Sequence, residues 1–155
     1  MRTGSLLACL RRVLRNRRGT AALEFGLLVP VLSTMVVGIT DLSLGFAHKM
    51  AVQDAAEAGA QYAVLHGWSS SAVSSAITSA TRLSGITASP APSESCGCPS
   101  GTTITAATCG STCASGRTAS TYVTANAQYS YRMILSYPGL SNPVTLSASA
   151  TVRIQ

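Results

Sequence analysis

Charge is scarce in this chain of 155 residues: Asp, Glu, Lys and Arg together make up 10% of it, and aromatics only 5%. So few aromatics, beside a hydrophobic set rich in alanine, exclude a large, densely packed core. The formal net charge of +6 is not spread over the chain. Arg2, Arg11, Arg12, Arg15, Arg17 and Arg18 stand in the first 19 residues, with no acid among them. Beyond them Lys49, Arg82, Arg117, Arg132 and Arg153 face Glu24, Asp41, Asp54, Glu57 and Glu94, five against five. A nucleic-acid-binding protein would carry its cations on the folded domain, so nucleic acid is not an expected partner. Also lacking are a paired carboxylate, a nucleophile elbow and a glycine loop fit to cradle phosphate. His48 and His66 have no companion at metal-ligand spacing and read as incidental surface residues. An enzyme, a metal site, a cofactor and a small-molecule substrate are therefore not expected.

What is present begins with an uncharged run of 16 residues, Phe25 to Thr40. As a helix it covers about 24 Å, short of a bilayer's hydrocarbon core, whereas residues 19–40 cover about 33 Å and span it. The longer version takes in Glu24, a lone acid in a membrane-grade segment. Arginines flank only the N-terminal end and Asp41 closes the other. The positive-inside bias then leaves residues 1–18 in the cytoplasm and exports the chain beyond Thr40. The helix pattern runs on through residues 38–45 without a small-residue cleavage site, so the segment reads as a retained anchor rather than a signal peptide. Leu6 to Cys9 mimics a lipoprotein box, but too few apolar residues precede it, and Cys9 reads as an ordinary cytosolic thiol. Pro30 lacks an N–H and crowds the carbonyl of Gly26, which membranes tolerate and which suggests a bent or loosened helix.

Past Asp41, the residues Leu44, Ala47, Ala51, Ala55, Ala58, Tyr62 and Leu65 recur at steps of three and four and predict an apolar stripe on a continuing helix. Lys49, Gln53, Asp54, Glu57 and Gln61 lie off it, and Gly67 is the expected stop. One helix from Glu24 to His66 would be about 65 Å long, and its stripe needs cover from the distal domain or from neighbours. Trp68 reads as a domain anchor.

These residues together carry a resemblance. RRGTAALEFGLLVPVLSTMVVGITDLSLGF, with AVQDAAEAGAQYAV after it, resembles the TadE-like pseudopilins of the tight-adherence (Tad/Flp, type IVc) pilus system. The shared features are a basic leader, a glycine, then a glutamate with an aromatic (Glu24, Phe25), a proline within the apolar run (Pro30), an acid closing it (Asp41) and an alanine-rich helix. The resemblance covers roughly residues 17–65. It implies cleavage by a prepilin peptidase between Gly19 and Thr20. It further implies assembly through Glu24, Phe25, Pro30 and Asp41 with other pilin-like subunits and the pilus machinery, in a bacterial inner membrane. A carboxylate in hydrocarbon is costly unless paired or protonated, and a new α-amino group on Thr20, one turn away, would pair with Glu24.

The remaining chain reads as an exported domain. Residues 69–84 place Ala72, Val73, Ala76, Ile77, Ala80 and Leu83 on one helical face, with Gly85 as a stop. From 86 to 120 the composition turns to Ser, Thr, Gly, Ala and Pro, around Cys96, Cys98, Cys109 and Cys113. Outside the cytoplasm these four are expected as disulfides in one of three pairings. Bonds between the 96/98 pair and the 109/113 pair would pin a hairpin containing TTIT. Residues 121–131 and 144–155 alternate cleanly, Val123, Ala125, Ala127, Tyr129 and Tyr131 in one, Val144, Leu146, Ala148, Ala150, Val152 and Ile154 in the other. Both predict half-buried antiparallel strands, joined by a turn or loop in YPGLSNP.

The expected architecture is α+β and pilin-like: a leader over 1–19, a transmembrane helix over 20–40, its extracytoplasmic continuation over 41–67, and a Ser/Thr-rich domain over 68–155. The expected function is a minor pseudopilin supporting Tad-type pilus biogenesis, adhesion and biofilm formation. The alternative is a static single-pass envelope protein displaying a disulfide-stabilised binding module.

Overall fold

The computed structural model describes residues 19–154; the arginine-rich leader and Cys9 lie outside the described residues. The protein is α+β. Helix α1 (Thr20–His66, 47 residues) is succeeded by α2 (Ser70–Ser79) and by strands β1 (Ser93–Ser100), β2 (Thr103–Ala106), β3 (Ser120–Tyr131) and β4 (Val144–Arg153). The chain divides into two compact units, residues 1–41 and 42–155.

In the first unit, α1 is an uncovered apolar helix. It stays helical through Pro30. Just beyond, the Thr34 hydroxyl donates to the carbonyls of Pro30 (3.0 Å) and Val31 (2.9 Å).

In the second unit, the rest of α1 packs against an antiparallel sheet of order β2-β1-β3-β4. The core consists of Val52, Ala55, Ala56, Ala60 and Ala63 from α1, Val73 and Ile77 from α2, Ile86, and Val123, Ala125 and Ala127 from β3. The inward residues of β3 are those the alternation predicts. On β4 the inward set is half-buried and its partners are exposed, again as the pattern requires.

The helix face is not the predicted stripe. Leu44 and Leu65 are exposed, and of the seven stripe residues only Ala55 is fully buried. The packed face runs through Gly45, His48, Val52, Ala55, Ala56, Gly59, Ala60 and Ala63, turned to one side of the expected line. The reason is steric. A Cβ on Gly59 would collide with Ile77 and lie 3.3 Å from the Cβ of Ala125, so the sheet settles where glycine and alanine let backbones meet. Lys49 reaches across to donate to the Ser147 carbonyl, tying the outer edge of β4 to the helix.

Helix ends obey local chemistry. Gly67 has φ +81° and donates its N–H to Ala63 O at 3.0 Å, the left-handed stop that glycine permits. Ser69 then caps α2 in extended conformation, its hydroxyl accepting from Ala72 N–H. Helix α2 ends at Ser79, earlier than residue 84. Its hydroxyls bond back to carbonyls four residues behind, Ser74 to Ser70, Ser75 to Ser71 and Ser79 to Ser75. Such competition for backbone acceptors weakens a helix interior. Trp68 and Leu83 nevertheless pack, partly buried, against the core.

The hairpin expected around TTIT is present, and strand β1 forms its first arm. SESCGCPS has poor intrinsic strand preference, yet it pairs with β3 from Ser93↔Thr124 to Gly97↔Ser120 and with β2 from Gly97↔Ala106 to Ser100↔Thr103. Next to it, Thr87 and Gln128 exchange backbone hydrogen bonds of 2.9 and 2.8 Å, extending cover along β3.

The glycine contact gives a test. Gly59→Val should lower stability by about 1–3 kcal/mol through overpacking against Ile77 and Ala125, read as an earlier thermal transition of the full chain in detergent.

Candidate functional site: the apolar helix and the stapled hairpin

From Leu23 to Phe46, α1 shows a run of bare aliphatic and aromatic side chains, among them Leu27 (75% exposed) and Phe25 (66%). Only Val37, Gly38, Asp41 and Gly45 in this stretch are half-buried or better. The described residues leave this surface uncovered, and the helix is long and apolar enough to cross a membrane. At 1.5 Å per residue its 47 residues extend about 70 Å, more than twice a hydrocarbon core.

The predicted site residues fall along this helix. Gly19 is exposed at its start, with nothing within 4 Å of where a Cβ would stand. Thr20 is the first helical residue. Glu24 and Phe25 are exposed one turn further on, and Pro30 lies beyond them within the helix. Asp41 differs from them: it is buried, only 4% exposed. Glu24 and Asp41 are seventeen positions apart on one helix, so the two acids do not form one site.

His48 is not an incidental surface residue. Its ring is half-buried between Tyr129 (centroids 5.2 Å) and Tyr131 (5.1 Å) of β3, and Nδ1 is buried without a hydrogen-bond partner. Sequence reasoning missed it because a histidine breaks an apolar pattern, although its spacing from Gly45 and Val52 places it on the packed face. His66 is exposed and stacks on Tyr62 at 4.4 Å.

The cysteines resolve into Cys96–Cys109 (Cα–Cα 5.1 Å) and Cys98–Cys113 (5.7 Å). Cys96 and Cys98, two apart on β1, point to one face because strand side chains alternate. The loop after β2 brings Cys109 and Cys113 to that face. Gly97 between them turns the other way, where a Cβ would collide with Ile104 and lie 2.9 Å from the Thr105 carbonyl oxygen. Two closures of 13 and 15 residues stabilise a β1–β2 hairpin whose outer strand is exposed throughout.

The apolar helix suits a protein with a single membrane pass, and the second unit is an α+β domain. Residues 19–61 match the family model described as TadE-like protein. No curated protein and no solved structure matches the chain. The TadE-like segment supports association with the membrane and with the Tad pilus, and it fits a structural component better than an enzyme.

The pairing can be checked by partial reduction, alkylation and mass spectrometry, which should yield the 96–109 and 98–113 links. Cys96→Ser/Cys109→Ser should keep the second bond and lose about 2–4 kcal/mol of stability.

Proposed function

We propose that this chain is a minor pseudopilin of a Tad-type pilus, cut by a prepilin peptidase between Gly19 and Thr20 and assembled through its apolar helix. One coincidence carries the reading. The family match begins at residue 19, the helix begins at Thr20, and Gly19 between leader and helix is exposed and uncrowded.

The chemistry rests on charge. In the precursor, six arginines hold the leader on the cytoplasmic side. Cleavage removes all of them and leaves side chains of balanced charge, five cations and five acids. It also creates an ammonium on Thr20, one helical turn from Glu24. Ammonium and carboxylate, on one chain or between neighbours, then offset the cost of holding either in lipid. With the leader gone, the helix loses its cytoplasmic tether and can be drawn toward an assembly of like helices. The domain from Leu42 onward stands outside the cytoplasm, where the oxidising compartment suits its two disulfides. The pilus so supported serves surface adhesion and biofilm formation.

Two substitutions separate processing from assembly. Gly19→Trp should leave the full-length chain in cells that hold the peptidase, and N-terminal sequencing of the wild-type product should begin at Thr20. Equal processing of both, or a product beginning at Met1, rejects the cut. Glu24→Leu should be processed normally yet fail to crosslink to pilin-like partners, and normal crosslinking by this variant removes the pairing role.

A further inference from the structure

We propose that the outer edge of β4 accepts an extended segment of a partner protein as an added strand, one that carries a cation and a carboxylate four residues apart. The site lies wholly within the second unit.

Strand β4 ends the sheet, and three contacts show which of its backbone groups face outward. Ile154 N–H donates to the Thr121 carbonyl at 3.0 Å, so the even-numbered residues of β4 turn to β3. Opposite Ser147, Gln128 exchanges both its backbone bonds with Thr87 instead. The Ser147 carbonyl receives Lys49 from outside. In an antiparallel ladder this alternation continues along the strand. Thr145, Ser147, Ser149 and Thr151 therefore turn their N–H and C=O groups to the open edge.

Native edges are commonly blunted by bulges, prolines, charges or short length. Here the register between β3 and β4 runs unbroken from Tyr122↔Arg153 to Tyr131↔Val144. The strand has no proline, and its one charge, Arg153, stands at its end. Lys49 lies across the edge from α1. A long, regular edge of this kind is the template that strand addition uses.

The flank of α1 says what the added strand carries. Between helix and edge runs a groove of about 450 Å³, lined by Ala148, Ala150 and Val152 from β4 and by Lys49, Gln53 and Glu57 from α1. Along β3, Ala125 lies by Gly59 and Tyr131 by Gly45, so β3 runs against α1, and β4, antiparallel to β3, runs with it. Lys49 stands at Ser147. The exposed Glu57 is eight residues or about 12 Å further along the helix. Four strand residues cover about 13 Å, which sets Glu57 level with Thr151. An added strand turns alternate side chains toward α1, over the alanines. Running antiparallel to β4, its cation opposite Val152 meets Glu57, and its carboxylate opposite Ala148 meets Lys49. Lys49 then leaves the Ser147 carbonyl to an N–H of the added strand. The β4 of a second copy would set only alanines into the middle of this groove and leave it unfilled.

Amide exchange of the full chain in detergent tests this with a defined guest. The guest is a capped decapeptide that alternates threonine with apolar residues and carries a lysine followed four positions later by a glutamate. In the free chain the amides of Ser147, Ser149 and Thr151 should exchange fast, and those of Ala148 and Ala150 slowly. The peptide should slow the first three by about tenfold. A peptide with its lysine and glutamate exchanged should bind about tenfold more weakly, because two attractions become two repulsions. Lys49→Glu/Glu57→Lys should reverse that preference. Ser149→Pro removes only an outward N–H and should keep its thermal transition while losing the peptide. Methylating the backbone nitrogens of the guest threonines, which leaves the protein untouched, should abolish binding. Unchanged exchange with the peptide in large excess, equal binding of the methylated guest, or an unreversed preference in the charge-swapped chain overturns the proposal. Slow exchange of Ser147, Ser149 and Thr151 in the free chain, with sedimentation as a dimer, assigns the edge to a second copy and overturns it too.

Discussion

The distance between α1 and β3 is set by the absence of side-chain bulk. Gly59 faces Ile77 and Ala125, and around it Ala55, Ala56, Ala60 and Ala63 from the helix meet Ala125 and Ala127 from the strand. Dispersion forces fall steeply with separation, so small residues gain cohesion only when backbones come close. That approach makes a core from a composition poor in large side chains. It also leaves no slack, because a single methyl at the wrong glycine has nowhere to go.

The close contact fixes how the domain is carried. With β3 held along the helix, its inward alternation places Val123, Ala125 and Ala127 in the core and runs on to the tyrosines around His48. The outer strands depend on β3 in turn. Strand β4 pairs along its length, from Tyr122↔Arg153 to Tyr131↔Val144, and Lys49 ties its far edge back to α1. On the other flank β1 and β2 have little apolar surface to bury, and the two disulfides hold what packing does not. The domain thus uses backbone pairing and covalent staples where a larger core would use hydrophobic area.

The uncovered part of α1 obeys a different constraint. Its side chains are large and apolar and stand bare of the rest of the described chain, so their free energy depends on what surrounds them. Lipid or the helices of like subunits can supply that environment. The charge pattern is asymmetric about this run: arginines on one side, an isolated Glu24 near its start, and a balanced chain beyond.

Much of this was legible in residue order. The apolar run, its flanking arginines and the helix stop at Gly67 depend on local composition and backbone freedom. Strands β3 and β4 were equally plain, because strict alternation has one structural meaning. The packed face of α1 was harder: alanine occupies several faces of the helix, so periodicity could not single out one, and Gly45 and Gly59 were the better markers. The pairing of β1 with β3 was hidden because the residues of β1 favour no strand by themselves, and it depends on its neighbours. The same holds for His48, which is half-buried only because two tyrosines from a distant strand close over it. Four cysteines allowed three pairings. The alternation of Cys96 and Cys98 on a strand, opposite a loop that returns alongside it, decided which sulfurs met. Local sequence thus determined the apolar helix, the helix end and the alternating strands, since each rests on interactions between near neighbours. Tertiary structure alone decided the helix face, the pairing of β1 with β3 and the disulfide partners, because each depends on distances between residues far apart in the chain.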